Sequence, residues 1–406
     1  MPLDIYNLTT QTSHCNIFPI MFPRQLQATL ERFAKAFPVV AITGPRQSGK
    51  TTLARDFFST LDYVSLEDPS ELAFAQEDPR GFLARFSKGA IFDEAQRWPA
   101  LFSYLQGMVD ENRSPGRFVL TGSQQFGLMA GITQSLAGRV GMTRLLPLCL
   151  TEIPAGRMGS LDEMILRGGY PALYSGAVDS SDWLASYTAT YVERDVRQVL
   201  EVRDLMVFQR FLKLCAGRTG QLLNLNALAG EAGISHTTAR AWLSVLESSD
   251  LVYLLPPYHR NFGKRLVKTP KLYFLDTGLA CWLLGIRSAE VLDMHPSRGA
   301  LFETMVVSEF LKQRFNQGKP ADLYFWRDNS GLEADLLFEK EGRLQLAEIK
   351  SGQTVTTDYI RAAQKSTRFA KEEALKPWLI YGGEDDYERN GVRVLGWSAF
   401  SKKDLR

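Results

Sequence analysis

Cysteine is scarce in this chain, and its spacing predicts neither a bridge nor a metal site. Cys15, Cys149, Cys215 and Cys281 lie far apart, and no Cys-x-x-Cys pair occurs. We therefore expect neither a disulfide framework nor a zinc site. Isolated cysteines of this kind are typical of a reduced, cytoplasmic protein.

Long apolar runs, an excess of one charge and internal repeats are also lacking. No stretch reaches 18 apolar residues, so no membrane span is expected. The first residues lack the basic start and apolar run of a signal peptide. With 47 Lys+Arg against 45 Asp+Glu, the net charge is +2, which excludes an acidic or basic tail protein. A balanced total still allows a local basic patch that contacts DNA.

The length and composition are those of a folded protein with more than one domain. The chain has 406 residues, of which 45% are hydrophobic and 23% charged, close to globular averages. Residues 1–22 read as an extension, and an amphipathic pattern predicts a short helix over 23–37. Apolar runs at 38–43, 63–66, 90–92 and 118–122 alternate with helix-length segments. This alternation predicts a parallel α/β sheet.

A phosphate-binding loop is predicted directly after the first strand. Residues 44–51, GPRQSGKT, fit the GxxxxGK[ST] pattern in full and precede a predicted helix. Backbone N–H groups and the helix N-terminus would bind phosphates, and glycines let the loop curl. Lys50 would reach the β- and γ-phosphates, and the Thr51 hydroxyl would face Mg²⁺. The alternative is a chance glycine-rich turn. The expected nucleotide contacts are Gly44, Pro45, Arg46, Gln47, Ser48, Gly49, Lys50, Thr51, Thr52 and Ser123.

Polar residues end the next two predicted strands. Asp93 and Glu94 follow the strand at 90–92. Asp93 would bind Mg²⁺, mostly through water, and Glu94 would polarise the attacking water. An exposed acidic loop is the alternative. Ser123 and Gln124 follow the strand at 118–122 and form either a sensor of the γ-phosphate or a plain turn.

The order of GPRQSGKT, AIFDEAQ, FVLTGSQQ and SLAGRV resembles the AAA+ ATPases, in particular their archaeal-ATPase-like group. The resemblance implies a homo-oligomer, such as a hexameric ring, with ATP sites between subunits. Arg139, in SLAGRV, matches an arginine that reaches a neighbour's ATP; a surface arginine beside a glycine turn is the alternative. The helical segment that follows would be a lid. In it, Arg194 is either a lid sensor or a partner in helix salt bridges.

A winged helix is predicted over residues 209–295. A helix, a glycine turn and a serine N-cap precede a second helix over 236–248. Thr237, Thr238 and Arg240 on that helix would face DNA. A strand and a basic stretch then suggest a hairpin wing, although use in subunit packing alone is the alternative. The expected phosphate-contacting cations, with no acid among them, are Arg260, Lys264, Arg265, Lys268 and Lys271.

Carboxylates and a lysine near the C-terminus form a second candidate site. Asp335 begins one predicted strand, and Glu348 and Lys350 end the next, where alternate residues face the same side. Asp335 and Glu348 could share Mg²⁺, and Lys350 could steady the attacking water or the oxyanion. Glu303 would support the metal from a helix, and Gln364 could orient the substrate backbone.

This last segment resembles the restriction-endonuclease-like fold of PD-(D/E)XK nucleases. A module that only binds or assembles is the alternative. From end to end, the chain resembles prokaryotic ATP-binding proteins that carry a C-terminal domain of unknown function. The expected fold is a multidomain α/β protein. We expect an extension (1–22), an AAA+ core (23–154), a helical lid (155–208), a winged helix (209–295) and a nuclease-like domain (296–406).

Two functions remain open at this point. One is an oligomeric ATPase that remodels or translocates DNA, including branched DNA, while the C-terminal domain binds or cleaves it. The other is a nucleotide-dependent switch that controls assembly and has a non-catalytic C-terminal domain. A nucleoside kinase is disfavoured because it would need no lid, winged helix or C-terminal domain. ATP and Mg²⁺ are the expected cofactors, and DNA the expected partner.

Overall fold

A computed structural model of the chain describes residues 22–122, 125–176, 178–192, 204–258, 268–328 and 331–402. Over these residues, no helix combines the length and apolar character that crossing a membrane requires. The helices and strands fall into three regions in order along the sequence.

A parallel sheet organises the first region. The strands described there are β1 Val39–Thr43, β2 Asp62–Ser65, β3 Ala90–Asp93, β4 Phe118–Gly122 and β5 Val140–Arg144. Their spatial order is β2-β3-β4-β1-β5, with every neighbouring pair parallel. β1, β3 and β4 are buried along their whole length. The carboxyl ends of these three strands therefore meet at one edge of the sheet.

Helices cover both faces of this sheet. They are α1 Gln27–Ala36, α2 Lys50–Phe57, α3 Pro69–Glu77, α4 Pro79–Ala84, α5 Leu101–Glu111 and α6 Gln125–Ser135. Val39 and Ala41 of β1 contribute to the core on one face, and Val40 and Ile42 to the core on the other. The predicted parallel α/β sheet is confirmed, and the four predicted strands end within about one residue of the observed ones. β5 was not predicted.

The middle region is mostly helical. Its helices are α7 Leu161–Arg167, α8 Ser180–Tyr187, α9 Leu205–Ala216, α10 Leu225–Ala232, α11 His236–Ser248, α12 Thr277–Leu284 and α13 Ala289–Asp293. β6 Gln221–Leu222, β7 Val252–Leu255 and β8 Lys271–Phe274 form an antiparallel sheet in the order β6-β8-β7. Ser235 caps α11 by accepting a hydrogen bond from the Thr238 backbone N–H. This arrangement is compatible with the winged-helix prediction, whose wing falls on residues 259–267, outside the described residues.

The third region is a long helix followed by a mixed sheet. Its elements are α14 Arg298–Asn316, β9 Tyr324–Arg327, β10 Glu333–Lys340, β11 Arg343–Lys350, α15 Thr357–Ser366, β12 Trp378–Tyr381, β13 Tyr387–Arg389 and β14 Val392–Gly396. The strand order is β13-β14-β12-β11-β10-β9. β9, β10 and β11 are antiparallel neighbours, whereas β11, β12 and β14 run parallel. The predicted helix and the hairpin of β10 and β11 are confirmed.

A single hydrophobic core joins the middle region to the third region and to the end of the first. Leu148, Ile165, Phe274 and Phe302, one or more from each region, are all part of it. Phe22 is buried in the same core. Phe22, the last residue of the predicted N-terminal extension (1–22), is therefore packed against the rest of the chain.

Candidate functional site

The loop after β1 has the backbone shape that a phosphate-binding loop needs. Gly44 has φ +143°, and a Cβ there would lie 2.1 Å from the carbonyl oxygen of Leu145. Gly49 has φ +93° and directly precedes α2. Both positions favour glycine, since other residues rarely adopt these angles and the first has no room for a side chain. The helix N-terminus thus follows the loop directly, and its free N–H groups can bind an anion.

Lys50 is buried at the start of α2. Its ammonium group donates to the Pro45 carbonyl oxygen at 2.8 Å, within the loop. Burial lowers the pKa of Lys50, and the negative charges of Glu94, Asp250 and Asp93 oppose that shift. The lysine therefore lies where the charges of the Asp93–Glu94 pair act on it.

Asp93, at the end of β3, is surrounded by hydroxyl groups. Thr51 Oγ1 lies 3.0 and 3.1 Å from its two carboxylate oxygens, and Tyr63 donates to Oδ2 at 2.9 Å. Thr121, on β4, donates to Oδ1. A hydroxyl and a carboxylate side by side are the oxygen ligands that Mg²⁺ prefers. Thr51 and Asp93 therefore fit a magnesium ion beside the loop.

The adjacent Glu94 adopts the left-handed conformation, with φ +55°. Gln96 donates from Nε2 to the Glu94 carboxylate. Because of this turn at the end of β3, the two neighbouring carboxylates contact different residues. Asp93 contacts Thr51, and Glu94 accepts a hydrogen bond from Gln96. The sequence predicted the acidic pair, but not Tyr63, Thr121 or Gln96 as its partners.

A buried arginine before α1 supports the loop from outside. Arg24 donates to the carbonyl oxygen of Ser48 at 2.7 Å and to that of Leu146 at 2.6 Å. Its Nε lies 3.1 Å from the carboxylate of Glu152. Ser48 Oγ is itself buried, and within the described chain it has no hydrogen-bond partner. A buried hydroxyl of this kind in a phosphate-binding loop is suited to a polar ligand.

A cavity of about 240 Å³ opens beside the loop. Its lining includes Phe22, Arg24, Gly49, Leu53, Leu148 and Pro171, so it lies between the start of α2 and the middle region, which contains the predicted lid. Tyr187, the last residue of α8, also donates to the Arg46 carbonyl oxygen at 3.5 Å. The predicted contacts Pro45, Arg46, Gln47 and Thr52 lie on the same loop and first helical turn. The predicted Ser123 and Gln124 fall outside the described residues.

Arg139 lies at the other end of the sheet from its own loop. It precedes β5, whose last residue Arg144 pairs with Thr43, the residue before the loop. The Arg139 guanidinium forms two hydrogen bonds to Asp110, at 2.8 and 2.9 Å. The Arg139 side chain is 25% exposed, and it lies at the end of β5 opposite the loop of its own chain. Arg194, the lid alternative, lies outside the described residues.

The second candidate site is assembled on β10, β11 and α14. Lys350 Nζ lies 2.6 Å from Glu348 Oε1 and 3.5 Å from Asp335 Oδ2. The Ile349 backbone N–H donates to Asp335 at 2.8 Å. Burial raises the pKa of Glu348 to about 8, with the charge of Asp335 adding to the shift. Burial alone would lower the pKa of Lys350, but the charges of Asp335 and Glu348 raise it. The structure thus brings together the three residues predicted from the Asp…Glu-x-Lys pattern.

Two residues of β8 complete this cluster, and no sequence pattern indicated that they would contact it. Lys271 Nζ lies 3.0 Å from Glu303 and 2.6 Å from Glu333. Tyr273 donates its hydroxyl to the same Glu303 carboxylate. The prediction that Lys271 contacts DNA phosphate is wrong, because this lysine is 4% exposed and paired with two carboxylates. Over the described residues, no group of three or more His, Cys, Asp or Glu is arranged to hold a metal ion.

The remaining predicted DNA contacts are only partly described. Arg240 and Lys268 are exposed, whereas Thr238 is half-buried and its hydroxyl lies 2.8 Å from Ser235 Oγ. Gln364 donates to the Asn390 carbonyl oxygen at 2.7 Å, in the turn after β13, and not to the acidic cluster. The predicted contacts Arg260, Lys264 and Arg265 lie outside the described residues.

Comparison with known proteins gives three family matches that together span most of the chain. Residues 36–154 match an AAA domain, residues 158–290 a domain of unknown function (DUF8612) and residues 298–400 another (DUF4143). The AAA match covers the phosphate-binding loop and the Asp93–Glu94 pair. The predicted AAA-type ATPase fold is thereby confirmed for the first region.

Two solved structures and two mycobacterial proteins are similar to parts of this chain. A Walker-type ATPase of Pyrococcus abyssi is 15% identical to this chain, with a TM-score of 0.46. The match covers 65% of this chain and 96% of the Pyrococcus chain. AMPPCP-bound DnaA from Aquifex aeolicus is 12% identical with a TM-score of 0.29, covering 55% and 85%. Uncharacterised proteins of Mycobacterium bovis and Mycobacterium tuberculosis are each 36% identical over 338 residues, covering 82% of this chain and 74% of theirs. The chain therefore belongs to the family of these two mycobacterial proteins, with an AAA-type P-loop ATPase domain as its first region.

Proposed function

We propose that this protein is a Mg²⁺-dependent ATPase that acts on DNA as an oligomer. The observation that carries the proposal is the contact of Thr51 with Asp93, at 3.0 and 3.1 Å, directly beside Glu94. A hydroxyl from the loop and a carboxylate from β3 are the two protein ligands that nucleotide-bound magnesium uses in P-loop ATPases. The magnesium ion, when bound, would neutralise charge on the β- and γ-phosphates.

The residues of the loop then have separate roles. The backbone N–H groups of residues 46–51 bind the phosphates, and Lys50 moves from the Pro45 carbonyl to the β- and γ-phosphate oxygens. Glu94, held by Gln96, orients the water that attacks the γ-phosphorus and accepts its proton. The cavity between α2 and the lid takes the base and ribose.

DNA binding is assigned to the middle region. Arg240 is exposed on α11, the second helix of the predicted winged helix, and Lys268 is exposed beside β8. Both are free to approach phosphate from the protein surface, and such contacts give sequence-independent affinity. Arg139 is assigned to an oligomer contact, since it lies at the sheet edge opposite its own loop.

The third region is assigned to phosphodiester chemistry. Asp335 and Glu348 are the carboxylates that would hold a divalent metal, and Lys350 lies beside both. The metal would polarise the phosphodiester and activate a bound water. Lys350 would stabilise the charge that develops on the phosphorus oxygens.

A second function is favoured by one observation in the same cluster. Lys271 pairs with Glu303 and Glu333, so two carboxylates near the metal candidates already have a cation. That arrangement suits a nucleotide-dependent switch in which the third region binds DNA or protein without cutting it.

One set of assays tests the proposal. We expect ATP hydrolysis by the full chain to be stimulated by linear, forked or four-way DNA, and lost in Lys50→Ala. Arg240→Ala should lower the stimulation but not the basal rate. Absence of stimulation by every DNA would favour the switch. Metal-dependent nicking that persists in Lys350→Ala would contradict the nuclease assignment, whatever the ATPase does.

A further inference from the structure

The acidic cluster of the third region is built from two regions of the chain. Asp335 and Glu348 come from the mixed sheet, whereas Lys271 and Tyr273 come from β8, in the small antiparallel sheet of the middle region. Both β8 side chains contact the same oxygen of Glu303, on α14. The middle region therefore contributes a positive charge directly to the centre that we assign to metal binding.

Charge is nearly balanced within this cluster. The carboxylates are those of Glu303, Glu333, Asp335 and Glu348, and the cations facing them are Lys271, Lys350 and Arg327. The Lys271 side chain is 5% exposed, so water screens its charge little. A divalent cation placed among these oxygens would meet the repulsion of Lys271 and compete with it for the lone pairs of Glu303.

We propose that Lys271 is an internal counter-cation that weakens divalent-metal binding at the Asp335–Glu348 centre, so that the middle region controls whether the centre is loaded. This inference rests on the proposed metal centre of the third region. Lysine suits the role because its flexible four-carbon stem lets the ammonium group leave the carboxylates without movement of the strand.

Manganese binding to the full-length chain tests the proposal without relying on activity. Mn²⁺ is the probe because it takes carboxylate ligands and its binding can be followed by electron paramagnetic resonance. The test variant is Lys271→Gln, whose amide can still donate to Glu303 but carries no charge. The matched control is Lys213→Gln, an exposed lysine of the same region on α9. Mn²⁺ binding of each protein is measured with and without the additional substitution Asp335→Asn. The part of the binding that this substitution removes belongs to the Asp335–Glu348 centre and not to the P-loop site.

We expect Lys271→Gln to bind Mn²⁺ at least about tenfold more tightly than the wild type does, because one repulsive contact between like charges is removed. Asp335→Asn should abolish the gain, and Lys213→Gln should match the wild type. Thermal melting in the presence of Mn²⁺ serves as a second measurement, since a ligand of the folded state raises the melting temperature. If Lys271→Gln does not fold, Lys271→Met replaces it, because its unbranched side chain fills the space of the buried stem.

Two different failures can be told apart. If the wild type already shows Asp335-dependent Mn²⁺ binding as tight as the variant's, the metal centre stands and the role of Lys271 is overturned. If neither protein shows Asp335-dependent binding, the proposal and the metal centre of the proposed function are both overturned.

Discussion

The guanidinium of Arg24 donates a hydrogen bond to the carbonyl oxygen of Ser48 at 2.7 Å, in the middle of the phosphate-binding loop. The same side chain is paired with Glu152 at 3.1 Å. Because carbonyl oxygens repel phosphate, a loop that binds phosphate must turn them outward, and Arg24 satisfies one that points away. The segment before α1 thereby fixes the loop's shape as well as lining the adjacent cavity.

We predict that Arg24→Ala weakens ATP binding by about tenfold, the effect of one charge-assisted hydrogen bond that preorganises the loop. It should also lower the free energy of unfolding by about 3 kcal/mol, because Glu152 is left buried without its partner. Isothermal titration with ATP and urea unfolding measure the two effects.

Glu152→Gln is the control for that prediction. It removes the charge of the pair but leaves the hydrogen bond from Arg24 to Ser48, so stability should fall while ATP affinity stays near that of the wild type. Equal ATP affinities in wild type and Arg24→Ala would contradict the proposed support of the loop.

The sequence was sufficient to identify residues that belong to short motifs at the ends of strands. Lys50 and Thr51 belong to one such motif, and Asp93 ends a strand of four buried residues. Each motif can be recognised from its own strand or helix, even though Thr51 and Asp93 are 42 residues apart in the chain. The Asp335 and Glu348 pairing was also predictable, since the two lie on neighbouring strands of a hairpin.

Contacts made by residues outside such motifs could not be predicted in the same way. Lys271 looked like a phosphate contact because its neighbours in sequence are basic, whereas its partner Glu303 is 32 residues away on α14. Arg24 and Glu152 are 128 residues apart. β5 was missed because Gly141 and Arg144 are unusual in a strand. Gly141 is required there by the rings of Phe33 and Phe37, which a Cβ would approach to 2.8 Å.

Arg139 gives a prediction about oligomer formation. If it reaches a neighbouring subunit's ATP, Arg139→Ala should bind ATP normally but hydrolyse it about 10³-fold more slowly, the effect of losing an arginine finger. Mixing Arg139→Ala with Glu94→Gln should restore part of the rate, since intact fingers then meet intact sites. Arg113→Ala, which removes the other and more exposed partner of Asp110, should have no effect. A mixture with no more activity than its parts would contradict the assignment.

The buried carboxylate of Glu309 should make the free energy of unfolding depend on pH. Its carboxylate is buried on α14 and accepts a hydrogen bond from the Leu150 N–H at 2.8 Å. Burial raises the pKa of Glu309 from 4.5 to about 7. The folded chain thus keeps a proton that the unfolded chain has lost, so the free energy of unfolding should decrease as pH rises through this interval and stay lower above it.

Glu309→Gln should remove most of this decrease, because glutamine can accept the same hydrogen bond without ionising. The difference in free energy of unfolding between wild type and Glu309→Gln should reach on the order of 3 kcal/mol at pH 8 and be small at pH 4. Urea unfolding at both pH values measures it, with the exposed Glu77→Gln as control. If the free energy of unfolding changed with pH in the same way in wild type and Glu309→Gln, the prediction would be contradicted.

The most direct test of the ATPase site compares ATP binding and single-turnover hydrolysis in wild type, Lys50→Ala and Glu94→Gln. Lys50→Ala should lose nucleotide affinity. Glu94→Gln should bind ATP and Mg²⁺ as the wild type does, while its hydrolysis rate falls by about 10²–10⁴-fold, the contribution of a general base. A Glu94→Gln protein that hydrolyses ATP at the wild-type rate, or that fails to bind it, would contradict the account.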